Sequence, residues 1–116
     1  MFQKKAKQSV TPEEIRDWAA PLLQRKDPKY QNHPEDTLIE IADMPMFLKS
    51  IEAGGPETAF LCYEDDGKKS YIIVAWGGGF GHWGLEIGDK DFSASSDDTK
   101  DLVQWDAGIY FFKQTK

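Results

Sequence analysis

Two spacings of apolar residues divide this chain. Up to about residue 53 apolar side chains recur every three to four positions, and from residue 58 onward they alternate with, or run between, polar ones. A period near 3.6 marks helices and a period of 2 marks strands. Thr11-Pro12-Glu13-Glu14 predicts a helix start. Thr11 can cap, Pro12 suits the first helical position, and Glu14 completes a capping box. Ile15, Trp18, Ala19 and Leu22 continue that helix as one stripe. Pro21 predicts a kink, or an end near Ala20, because a proline in a helix interior costs about 3 kcal/mol. Residues 1–10 are polar and basic and read as a flexible tail. Residues 25–35 are a polar connector, and residues 36–42 suit either one helical turn or a short strand. Asp43 predicts a cap for a helix over 44–53, striped by Phe47, Leu48 and Ile51 and stopped by Gly54-Gly55-Pro56.

The second half predicts strands over 58–64, 70–76, 83–87 and 108–113. Asp65-Asp66-Gly67 between the first two is a hairpin signal. Residues 89–101 form an acidic, serine-rich connector. A short helix over 97–103, capped by Ser96, is expected at its end. The sum is one α+β domain spanning the chain, with N-terminal helices packed on a meander of about four antiparallel strands. Both strand faces are apolar. Ile72, Val74 and Trp76 oppose Tyr71, Ile73 and Ala75, while Ile109 and Phe111 oppose Tyr110 and Phe112. A sheet with one wet face alternates apolar with polar residues. A cover is therefore expected on the second face: the N-terminal segment first, then a partner subunit or a ligand.

Composition adds limits. At 116 residues and 40% hydrophobic content, one core can form without metal or disulfide staples. The net charge of −6 is uneven: residues 1–35 carry seven basic and five acidic side chains, residues 36–116 seven and fifteen. An acidic body repels phosphate backbones, so no nucleic-acid partner is expected. It suits a basic protein partner, or simply solubility. Cys62 is the lone cysteine and cannot form an internal disulfide. No signal-like or membrane-spanning apolar run is present, so a cytoplasmic location and no membrane partner are expected.

Chemistry concentrates in one place. Six of ten glycines fall between Gly77 and Gly88, beside Trp76, Phe80, His82 and Trp83. Bare backbone next to bulky rings makes a recognition surface, or else a wide loop in which glycine relieves crowding. The candidate binding residues are Trp76, Gly78, Gly79, Phe80, Gly81, His82 and Trp83, together with Trp105. The rings serve equally well as core. Gly79-Phe80-Gly81-His82-Trp83-Gly84 matches G-x-G-x-x-G, but a strand follows where a dinucleotide fingerprint needs a helix. The lysine, H-R-D and D-F-G elements of a kinase are missing. His82 is the candidate catalytic residue, since imidazole changes charge near neutral pH. Glu86, Asp89, Asp91 and Asp106 are the carboxylates that would orient it. Its bland alternative is one ordinary hydrogen bond beside a ring. Neither metal nor cofactor is expected, because His33, His82 and Cys62 show no paired ligand spacing. Asp97, Asp98 and Asp101 likewise lack a calcium-loop pattern. Cys62, mid-strand, reads as a buried structural thiol. The function expected is a protein-interaction or binding module, its partner another protein or a second copy, with an acidic immunity- or inhibitor-type protein as one form. The alternatives are a small enzyme using His82 as acid or base, and a small-ligand-binding domain without chemistry.

Overall fold

The helical spacing of the first half becomes α1 (Phe2–Ser9), α2 (Pro12–Leu23) and α3 (Met46–Lys49) in a computed structural model. It describes residues 2–26, 29, 36–64, 69–77, 81–96 and 98–114. The expected N-terminal tail is instead α1. Phe2, Ala6 and Val10 recur every four residues and are all buried, while Lys4, Lys5 and Lys7 face out. The Phe2 ring lies 4.7 Å from Trp76 and 6.1 Å from Phe111, centroid to centroid.

The capping box of α2 is formed. The Glu14 N–H donates to Thr11 Oγ1 at 3.2 Å, and the Thr11 N–H donates to Glu14 Oε1 at 3.0 Å. Ile15, Ala19 and Leu22 bury the stripe. The helix runs on through Pro21 to Leu23 rather than stopping at Ala20. Pro21 sits on the exposed side, as does Asp17 four residues earlier, and the next turn closes from Gln24 N–H to the Ala20 carbonyl at 3.0 Å. The helix expected over 44–53 shrinks to the four residues of α3 behind a 3-10 turn at Ile41–Asp43. Asp43 caps nothing, because its carboxylate pairs with Lys29.

Six strands form one antiparallel sheet: β1 (Thr37–Leu38), β2 (Thr58–Glu64), β3 (Lys69–Gly77), β4 (His82–Ile87), β5 (Lys100–Asp106) and β6 (Ile109–Gln114). Their spatial order is β1-β2-β3-β4-β6-β5. Two strands exceed the expected four. β1 resolves the ambiguity at 36–42, and β5 stands where a short helix was expected. Its residues are strand because β6 supplies a partner, with Leu102 opposite Phe112 and Val103 opposite Phe111. The hairpin signal Asp65-Asp66-Gly67 lies outside the described residues.

Register assigns the faces. Leu61, Ile72 and Ile87 lie in one row, as do Val74, Leu85 and Phe111. All three helices cover this face, and its side chains form the main core with Ile15, Ala19 and Leu48. The opposite face is covered in part, by the connector after β4 and not by the N-terminal segment. Phe92 stacks on Tyr71 at 5.1 Å and meets Tyr110 edge-on at 5.9 Å. The Tyr110 hydroxyl donates to the Phe92 carbonyl at 3.3 Å. On this same face Glu86, 2% exposed, meets Lys100 Nζ at 2.7 Å. No described helix is long and apolar enough to cross a membrane.

Candidate functional site

The residues that cluster in sequence around the β3–β4 turn part company in space. Trp76 is the last core residue of β3, 1% exposed, under the Phe2 ring. It is therefore no exposed platform. Gly77 holds φ +97°, and a Cβ there would come within 2.6 Å of the Trp83 ring. A side chain at 77 would thus be strained by its backbone and would collide with the ring. Gly78, Gly79 and Phe80 lie outside the described residues. Gly81, with φ +136°, leads into β4.

His82 and Trp83 follow one another on β4 and so face opposite sides of the sheet. His82 Nε2 lies 3.5 Å from Glu57 Oε2, both side chains well exposed. Glu57 precedes β2, and none of the four carboxylates anticipated from sequence takes this place. Glu86 is held by Lys100, Asp106 by Arg16, and Asp89 by the Asp91 N–H. Trp105 stands at the other end of the sheet. It is five residues along β5 from Lys100, whose register partner Gln114 also pairs with His82. At about 3.3 Å per residue that is roughly 17 Å from the turn. The Trp105 ring stacks on Phe111 at 4.9 Å, against the core.

Trp83 alone of these rings both lines a cleft and has its indole N–H bonded to a carboxylate among the described residues. It is half-buried on the helix face, and its indole N–H donates to Glu52 Oε1 at 2.7 Å. Glu52 Oε2 also accepts from Lys5 Nζ at 3.3 Å. Beside the ring opens a cleft of about 1070 Å³ between α1 and the β4-β6-β5 side of the sheet. Phe2, Phe111 and Trp83 give it apolar walls, and Val103 on β5 borders it, 50% exposed. Lys4 and Lys7 of α1 line its rim. His82, on the other face, is not among its lining residues.

Phe2, Lys4, Lys7, Glu52 and Val103 join the cleft without being marked as site residues by the sequence. One signal was present: the four-residue spacing of Phe2, Ala6 and Val10 through a lysine-rich stretch. Nothing local announces Glu52 or Val103, whose roles depend on packing. On the second face, burial pushes the Cys62 thiol up to about 11 and the neighbouring Tyr71 hydroxyl up to about 12. A thiol so placed is protonated at neutral pH and is a poor nucleophile. Among the described residues no three His, Cys, Asp or Glu side chains converge as metal ligands do.

Fold and cleft together define an α+β domain with helices on one face of a six-stranded antiparallel sheet and a ring-lined cleft at its β5 side. Comparison with protein-family models, with curated proteins and with solved structures finds no match.

Proposed function

We propose that this chain is a binding module for another protein, engaging it through the Trp83 corner, the cleft below α1 that the Trp83 ring lines. The observation that carries this reading is the anchored ring of Trp83. Its 2.7 Å hydrogen bond to Glu52 fixes the indole in advance, on the wall of an open apolar cleft. A pre-fixed aromatic ring offers large contact area at small entropy cost, which is the chemistry of interface hot spots. Val103 extends that apolar area to the sheet edge. The single, free thiol suits a reducing, cytoplasmic setting, and the net charge of −6 suits a protein rather than a nucleic-acid partner. Occluding another protein's surface, as an inhibitor or immunity protein does, is a use such a corner serves.

The test is selection of random displayed peptides on the full chain, followed by binding to Val103→Glu with its fold checked by circular dichroism. Enriched peptides should bind the wild type and lose at least about tenfold on the variant, since a charge is placed on the apolar border. Enrichment that is absent, or indifferent to Val103→Glu, refutes the reading. Acid–base chemistry at His82 is the second reading, favoured by the 3.5 Å approach of Glu57. His82→Ala separates the two, because peptide binding in the cleft should survive it.

A further inference from the structure

We infer that the cleft takes an extended, acidic peptide segment, which adds to the sheet as a further strand beside β5. This rests on the binding-module reading and specifies its ligand. Two independent features carry it. The first is the edge. β5 ends the sheet and pairs with β6 alone among the described residues. Asp101 and Val103 sit opposite Lys113 and Phe111, on the helix face, and all four line the cleft. A strand laid along β5, at about 4.8 Å, would point alternate side chains toward α1 and the rest away. Backbone hydrogen bonds then supply affinity, and the cleft reads every second side chain.

The second feature is charge. Lys4 and Lys7 are three apart on α1 and so share a face. Neither lies within ion-pair distance of a carboxylate among the described residues. Lys7 Nζ instead sits 5.8 Å over the Phe111 ring. Three lysines, Lys4, Lys7 and Lys113, line the cleft against two carboxylates: Glu52, which already serves Trp83 and Lys5, and Asp101, the cross-strand neighbour of Lys113. A chain of net charge −6 therefore presents an excess of lysines over carboxylates at this apolar cleft. The complementary segment alternates Asp or Glu with apolar or aromatic residues. The basic partner suggested by net charge does not match this rim.

The edge also limits the occupant. The β5–β6 register shifts between Gln104 and Asp106, and Lys100 and Asp101 place charge on the strand. Such devices blunt an edge against indiscriminate pairing. Only the stretch from Lys100 to Gln104 is regular, which fits a short peptide better than the full β5 of a second copy.

The experiment uses three synthetic peptides of about nine residues on the full chain. One alternates Glu with Val around a central Phe, one carries Lys for Glu, and one is the acidic peptide N-methylated at alternate backbone positions. The acidic peptide should bind. Its affinity should fall at least about tenfold on Lys4→Glu/Lys7→Glu, and likewise as salt rises from about 50 to 500 mM. N-methylation, which removes backbone donors without touching the protein, should cost a similar factor. Equal binding of the lysine peptide, or undiminished binding of the methylated one, overturns the inference. If selected peptides respond to Val103→Glu but are neither acidic nor methylation-sensitive, strand addition fails and the binding module stands. If no peptide responds to Val103→Glu, both fail.

Discussion

Replacing Phe2 with alanine removes a ring that is 8% exposed and wedged between Trp76 and Phe111. Full burial of such a side chain contributes about 1.5–3 kcal/mol, and each of its two ring contacts adds about 0.5–1.5 kcal/mol. Phe→Ala in a closed core costs about 3–5 kcal/mol. The short, eight-residue α1 can shift partly into the gap, so the lower end, about 3 kcal/mol, is expected. With a urea slope near 1.5 kcal/mol/M the unfolding midpoint should fall by about 2 M. Gln3→Ala, one residue on and exposed, should stay within about 0.5 kcal/mol. Parallel urea titrations followed by tryptophan fluorescence measure both. A Phe2→Ala shift no larger than that of Gln3→Ala refutes the reasoning, returns residues 2–9 to the status of a tail, and removes one wall of the cleft.

Cys62 should resist Ellman's reagent at pH 8 in the folded protein and react promptly in denaturant, since burial pushes its thiol up to about 11; fast native-state reaction contradicts this. Lys100→Met leaves the buried Glu86 carboxylate unpaired and should destabilise by about 3 kcal/mol, most of it recovered by adding Glu86→Leu; chemical denaturation of both variants gives the answer. The Ala107 N–H and then the Arg16 guanidinium hold the Asp106 carboxyl below its ordinary value. Its folded value being depressed, its stabilisation is complete above the unfolded value near ~3.9 and is lost as pH falls through the folded one. Asp106→Asn should therefore flatten the acid limb of stability below about pH 4, and an unchanged limb argues against the contact.

Much of the architecture was legible because local signals and tertiary outcome agreed. The capping residues Thr11 and Glu14 place the start of α2 at Pro12, and β2 spans 58–64 as alternation predicts. The misreadings share a cause: partners distant in sequence outvoted local preference. Three lysines masked the Phe2, Ala6, Val10 stripe, which only the sheet gives reason to bury. Ser96 and its acidic neighbours resemble a helix start, yet Leu102 and Val103 are strand because β6 lies alongside. Pro21 does not end α2, because it sits on the exposed side and the Gln24 N–H still reaches the Ala20 carbonyl beyond it. The candidate site was half legible. The glycine–aromatic run marks the β3–β4 turn, but adjacency along a strand does not bring side chains together. Alternation sends His82 and Trp83 to opposite faces, Trp76 goes to the core, and strand direction carries Trp105 to the far end.

Ligand is proposed to enter at Trp83 and the β5 edge, below α1. The most direct measurement is an amide and indole NMR titration of the full chain with the acidic alternating peptide. Shifts are expected at the Trp83 indole N–H, at Val103 and its β5 neighbours, and at Lys4 and Lys7. Shifts centred on His82, Glu57 and the opposite face, with Trp83 and β5 unmoved, would contradict it.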